Sequence, residues 1–435
     1  MAQFDMRVSA DTAPRAAVNA DTIISSVLFV AAFLAAWISF HPFQSLAEPP
    51  PAVVEGGDLV NQIAFSSLFL ALAAWTWFHQ PQRLVLLVRP IFVALIVWCL
   101  ITCLTSWEPA LAARRFAFAL VLLGIATMVL LLPKNVRHFS DLMAAVALIM
   151  LVACYLGVLL VPQLAVHQVT DFLEPEHAGN WRGVFPHKNQ AGAVMVMIVF
   201  IGLFVARMRS LALGGLITAL ALIFLGFSQS KTAIGVMPLV FILAGIISRS
   251  RRPTAGIALV VVILAAFNLF SVGTVIFEPV RKLVEMVMPD ATFTGRTEIW
   301  ELGVQAVAQR PITGYGFSSF FGTDEVVYGL GENASWANAA TDAHNAYLNL
   351  ALTIGLPGLL LTILWVVILP VADFYRLPAD PEEAPLQLLF LRVCLYGIYS
   401  SCFESSIFQQ VGEVWFFFMV SAFGLRYASL ARAKT

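Results

Sequence analysis

Charge is scarce in this sequence: Lys, Arg, Asp and Glu make up 12% of its 435 residues, about half the share in an ordinary soluble protein. The formal net charge of −1 excludes a strongly basic nucleic-acid binder. No G-x-x-x-x-G-K-[ST] loop is present, because Ser230 stands where the glycine before Lys231 would be needed. The G-x-S-x-G nucleophile elbow, the H-E-x-x-H zinc helix and an Asp-x-Asp pair for a metal and nucleotide sugar are also missing. Asp380-Pro-Glu382 falls on the wrong side in the topology given below. Nucleotide-driven and metal-dependent chemistry therefore lack their usual parts. The five cysteines (Cys99, Cys103, Cys154, Cys394 and Cys402) all lie in apolar segments, which excludes a disulfide framework or a Cys-based zinc site.

What the sequence has instead is length after length of apolar residues, 60% of the whole. Twelve runs stand out, near 22–40, 58–78, 88–106, 114–132, 141–162, 190–206, 210–227, 232–248, 255–276, 345–370, 386–404 and 411–429. Each reaches about 17 residues, enough for a helix to cross a hydrocarbon core about 30 Å thick. Lipid offers the backbone no hydrogen-bond partners, so helices are the only open-ended solution. The fold class is therefore an all-α polytopic membrane protein of about twelve transmembrane helices. Ser45-Leu46-Ala47 imitates a signal-peptidase site, but the preceding run is too long for a signal h-region and reads as an uncleaved span.

Orientation follows from Lys and Arg. With the N-terminus inside, 16 of the 25 cations fall on the cytoplasmic side, Arg249-Ser-Arg-Arg252 most densely. Both termini are then cytoplasmic, with a tail over 1–21 and a single transmembrane domain over 22–435. Two periplasmic loops, 163–189 and 277–344, exceed ordinary connectors and are expected to cap an active site. The second contains short helices of its own. In residues 297–307, Ile299, Leu302 and Ala306 share one face beside Trp300 and Val304, which suits a helix lying along the membrane surface.

Against this greasy background, "GVFPHKNQAG" (183–192) sets a histidine, a lysine and an asparagine side by side, just after Arg182. In the predicted topology Arg182, His187, Lys188 and Asn189 sit outside, before the sixth span. Lys231 lies at the outer junction of spans seven and eight, where a buried charge would need a partner. Arg296 is in the large loop, His344 and Asn345 open the tenth span, and Glu404 ends the eleventh. For Arg114, Arg115 and Lys282 snorkelling to the headgroups is the expected role. His41, His138, His167 and His177 read as satisfied structural residues. Arg392, within the eleventh span, is the main charge away from a membrane surface.

Cations and histidines gathered at one surface suit an anionic substrate. Arginine forks grip phosphate oxygens in pairs, lysine adds a point charge, and a pyrophosphate leaving group gains most as its charge grows. Histidine, with an ordinary pKa of about 6.5, can take a proton from an attacking hydroxyl, with Glu404 orienting it or sharing the task.

Three segments carry a family resemblance: "RGVFPHKNQAG" (182–192), "FTGRTEIWELGVQAVAQRPITGYGFSSF" (293–320) and "DAHNAYLNLALTIGLPGLLL" (342–361). In this order they resemble the O-antigen ligase and polymerase superfamily, and the H-K-N box (187–189) is similar to that of bacterial exopolysaccharide polymerases. The resemblance covers about 180–365. It implies a glycan donor on undecaprenyl pyrophosphate, a periplasmic site, no metal or cofactor, and inversion at the anomeric centre. By the same likeness Arg296 would bind the pyrophosphate and His344 would be the base. Lys231 would take the place of an arginine, and Arg182, His187 and Lys188 would line the same pocket. Implied partners are the lipid-linked glycan, membrane lipid, and a chain-length regulator or export proteins, with no nucleic acid. An exopolysaccharide polymerase is the reading preferred here, ahead of an O-antigen ligase acting on lipid A core. A transporter or flippase ranks below both, because transporters set ionisable residues near the midplane on broken helices.

Overall fold

The computed structural model describes residues 19–38, 42–48, 58–83, 88–172, 174–287, 295–323, 326–327, 340–378, 380–409 and 412–431. His41, most of the 1–21 tail and parts of the 277–344 loop lie outside the described residues.

The twelve apolar runs become helices: α1 Ala20–Trp37, α2 Leu59–His79, α3 Pro90–Leu104, α4 Pro109–Val129, α5 Val136–Leu160, α6 Lys188–Met208, α7 Leu211–Ser228, α8 Lys231–Arg249 and α9 Pro253–Phe270. After two helices of the large loop, α10 Glu278–Val287 and α11 Arg296–Gln309, come α12 Ala346–Phe374, α13 Ala384–Ser400 and α14 Glu413–Ala431. Nine helices among the described residues are long and apolar enough to cross a membrane, and Pro90–Leu104 and Ala384–Ser400 are shorter apolar ones. The chain is an all-α multi-pass membrane protein. The one extended pairing among the described residues is an isolated bridge between Val166 and Trp181.

The helix starts are written in the sequence. Asn19, Asp58, Asn135, Ser210 and Asn345 each accept a backbone N–H with the side chain, and proline opens α3, α4 and α9. Both devices deal with N–H groups that a helix end leaves unpaired.

Helix α12 is broken on purpose. Gly355 has φ 69° and ψ 177° inside it, and a Cβ there would stand 1.8 Å from the Ile312 carbonyl oxygen. The break frees three carbonyls, and each finds a donor: Tyr315 N on Leu352 O at 2.8 Å, Gly316 N on Thr353 O at 3.0 Å, and Trp98 Nε1 on Ile354 O at 2.8 Å. Leu356 N returns a bond to Pro311 O at 2.8 Å. The Pro311-x-x-Gly-x-Gly316 segment is thus the splint for the kink. It satisfies backbone groups that hydrocarbon could not.

Helix α11 differs from expectation. Its Ile299, Trp300, Gly303 and Ala306 are buried, and Trp300 Nε1 donates to Ala343 O at 3.0 Å. The apolar face packs on protein, within a second small core of Val272, Tyr315, Phe320, Ala343, Leu348 and Leu352. It does not lie on lipid. The helix that leaves apolar residues uncovered is instead α10, where Leu283 and Met286 are exposed and Lys282 pairs with Glu278 at 2.9 Å.

Candidate functional site

Polar contacts tie together the start of α6, the α7–α8 junction, the start of α11, the start of α12 and the end of α13. These ends therefore share one face of the bundle. The opposite face holds its own pairs: Arg89 NH2 donates to Asp373 Oδ1 at 2.6 Å, and Arg209 meets Asp141 at 2.5 Å.

At the centre of the first face is Glu404, in the turn after α13. Arg296, the first residue of α11, donates through NH2 to Glu404 Oε1 at 3.3 Å and through NH1 to the Phe403 carbonyl at 2.6 Å. Asn189 Nδ2 donates to the same Oε1 at 3.2 Å. His344 Nδ1 lies 3.7 Å from Oε2 and 3.8 Å from Asp342 Oδ1. At that separation the carboxylates act on the imidazole mainly through charge. Burial pulls the His344 pKa down, but Glu404 and Asp342 outweigh it and the net direction is up. Burial pushes Glu404 the other way, and His344 and Arg296 reverse it, leaving the carboxyl below its ordinary range. The result is an arginine–carboxylate–histidine group built from three separate elements.

Backbone geometry helps to hold it. His344 has φ 46°, a left-handed conformation that is costly for a non-glycine residue. Its N–H is held by Asp342 Oδ1 at 2.7 Å. Next to it, fully buried Asn345 caps α12 by accepting from Leu348 N at 2.9 Å. The Asn345 amide donates to Cys402 O at 2.9 Å and to Asn268 Oδ1 at 3.1 Å. Asn345 was expected to touch substrate. Instead it fastens the His344 turn to the turn that carries Glu404, and both polar atoms of its side chain are used internally.

Arg182 also differs from expectation. It is 1% exposed, and its guanidinium donates to Phe185 O at 3.0 Å and Gln44 O at 2.5 Å. Its task is to knit the 161–187 loop, because unpaired loop carbonyls under a cap need donors. Lys231 was expected to be buried with a partner. It is exposed at the start of α8, and no ion-pair partner stands beside it among the described residues. Lys188 is buried, donates through Nζ to Gln229 O at 3.4 Å, and is near enough to Lys231 for the two charges to repel. An approaching anion would relieve both. Asn189 links this lysine pair to the carboxylate, since its Oδ1 accepts from Ser230 Oγ at 3.4 Å.

His187 caps α6 by accepting from Asn189 N at 3.1 Å, and its Nε2 lies 2.8 Å from Glu174 Oε2. That contact is the main reason Glu174 is lowered to about 2. His167 was read as structural, and it is: its ring bridges Asp171 at 2.8 Å and Lys188 N at 3.3 Å, and burial takes its pKa to about 4. His177 was given the same reading, yet its ligand atom and those of Glu174 and His187 lie within 4.8 Å of one another. These three could hold a divalent ion. The fit is poor, because a His187 ring that accepts at Nδ1 carries its proton on Nε2 and has no lone pair left for a metal there.

Arg115 was expected to snorkel. Instead it donates to the Ser318 carbonyl and lines a cleft of about 370 Å³ together with Asp342 and Ser405. Glu174, Asp342 and Ser405 are the residues that sequence reasoning passed over, and Arg115 is one it placed at the headgroups. Asp342 had a legible signal, two positions before His344, whereas the others did not. Arg392, the exception among the spans, sits with its guanidinium 5.2 Å from the Phe241 ring.

Comparison with known proteins adds a family. Residues 216–363 match the family described as O-antigen ligase. That span contains Lys231, Arg296 and His344 but neither the 182–189 segment nor Glu404. Among curated proteins, the exopolysaccharide production protein ExoQ of Rhizobium meliloti (strain 1021) is 25% identical over 222 residues, 48% of this chain and 50% of the relative. The matched region spans about half the length of that relative.

Proposed function

Starting from a chain of the O-antigen ligase and polymerase superfamily, we propose that this protein polymerises undecaprenyl-pyrophosphate-linked oligosaccharide repeat units into exopolysaccharide. The work is done at the periplasmic face of a bacterial inner membrane, with both termini cytoplasmic. The observation that carries the reading is the meeting of Arg296 and His344 on the single carboxylate of Glu404.

In the proposed step His344 takes the proton of an acceptor hydroxyl as its oxygen attacks the anomeric carbon of the donor sugar. The bond from that carbon to the pyrophosphate oxygen breaks, its electron pair leaves with undecaprenyl pyrophosphate, and the configuration inverts. Negative charge grows on the leaving diphosphate, and Arg296, which shares Glu404 with His344, is the fork to meet it, with Lys188 and Lys231 as point charges. Glu404 is a positioning residue that raises the basicity of His344 and orients Arg296. His187 and Asn189 hold the wall between carboxylate and lysines. All the cations in this reading are side chains, so chelation should leave turnover within about twofold. Inhibition by a chelator that a divalent ion reverses would overturn the metal-free step and point to the Glu174–His177–His187 cluster.

Purified protein supplied with lipid-linked repeats and no other acceptor should make lengthening chains. Silence, with activity restored by lipid A core, would favour the O-antigen ligase reading, which the description of the matching family supports. His344→Ala should abolish product while donor binding stays normal. Movement of the lipid-linked glycan across the membrane with no new glycosidic bond formed would favour a flippase instead.

A further inference from the structure

Beside the Arg296–Glu404–His344 group lies the cleft of about 370 Å³, within the roughly 300–1,000 Å³ range of small-ligand sites. Two of its lining residues, Asp342 and Ser405, stand two positions before His344 and one after Glu404. It shares a wall with the reacting group.

Its chemistry fits neither part of the donor lipid. A diphosphate wants several cations, and here Arg115 is the one lining cation among the described residues. A polyprenyl tail wants an unbroken aliphatic groove, and this lining is mixed. Phe317, Phe320, Phe321, Leu350, Ile407 and Phe408 alternate with Asp342, Asn349, Ser405 and Gln409, the pairing of ring faces and polar groups that suits a sugar better than a hydrocarbon chain. Asp342 already accepts the His344 N–H, but the other three polar groups are short of partners. The Ser405 hydroxyl and His344 Nδ1 are both buried with no hydrogen bond, and the side-chain amides of Asn349 and Gln409, both partly buried, have none among the described residues. Polar groups left so in a folded protein call for water or a ligand. A sugar, carrying a hydroxyl on almost every carbon, can satisfy several of them at once.

The backbone points to the same place independently. Among the described residues five non-glycine residues have positive φ, and three of them are Ser318, His344 and Phe408. Ser318 and Phe408 line the cleft and His344 adjoins it. Strain of this kind persists where the surrounding structure enforces it, and it gathers at functional sites.

We propose that this cleft holds the saccharide end of the acceptor chain and presents its terminal hydroxyl to His344, leaving the donor diphosphate to Arg296 and the lysines. The assignment rests on the glycosyl-transfer reading above and gives it a second subsite. Asn349 and Gln409 are its specificity residues.

The test uses the full-length protein, its lipid-linked donor, and oligosaccharide released from its own product as acceptor probe. Asn349→Ala and Gln409→Ala should each raise the acceptor KM about five- to tenfold, the effect of one lost neutral hydrogen bond. Affinity for undecaprenyl pyrophosphate, as sugar-free donor probe, should not move. As a second measurement, the oligosaccharide should slow thiol labelling of Asn349→Cys, and undecaprenyl pyrophosphate should not. An unchanged acceptor KM, or protection of the cysteine by the diphosphate lipid alone, would overturn the assignment. A wild-type protein that makes no glycan at all would instead overturn the transfer reading on which it rests.

Discussion

His344 works at a pH chosen by its neighbours. Because Glu404 and Asp342 together raise its pKa above the ordinary value, the imidazole becomes a neutral base only as the pH climbs through that raised value. The acid limb of a kcat/KM profile should therefore lie above about 6.5. Glu404→Gln removes a negative charge from beside the ring, so the limb should move to lower pH while the maximal rate falls about 10- to 100-fold, as Arg296 loses its anchor. A limb that stays in place would remove Glu404 from control of the base. Asn345 makes a contrasting case. Asn345→Ala deletes a helix cap, costing about 1 kcal/mol, and unties two turns. It should lower kcat and thermal stability together while donor affinity is kept. A rise in donor Kd alone would return it to the binding set. That Arg182 and Asn345 are fastened internally was not legible in their residue types. An arginine bonded to loop carbonyls and one waiting for phosphate look alike in a string of letters.

At the scale of elements, the kink in α12 and its splint form one device. Gly355→Ala would force a side chain into positive φ and onto the Ile312 carbonyl, so the 311–316 segment must move. The expected loss is about 1–3 kcal/mol for the strained backbone alone. It should be read as a lowered Tm in detergent, with greater protease sensitivity around 311–316. Wild-type stability would show that the splint is dispensable. The two glycine motifs were visible as sequence, but nothing in their spacing said that one repairs the other. Helix α11 teaches the same lesson: its apolar stripe was legible, while the choice between lipid and protein as cover depended on the small core under the loop.

For the whole molecule, the described cysteines are all buried, which makes sidedness easy to test. A cysteine at exposed Glu176, on the site face, should react with a membrane-impermeant thiol reagent in intact cells. One at exposed Arg251, in the connector between α8 and α9, should react only after lysis. The reverse pattern would invert the topology and remove the periplasmic site.

By itself the sequence determined that this chain crosses a membrane many times, where the apolar runs fall, and that its cations, Arg392 apart, gather at the ends of those runs. Hydrocarbon sets those properties locally, through length and polarity along each run. Only the tertiary structure decided which cations share a carboxylate, which are consumed as loop fastenings, and where a cleft adjoins the imidazole. Those are relations between segments far apart in the chain, set by how helix ends converge at one surface, and no periodicity along a single run encodes them.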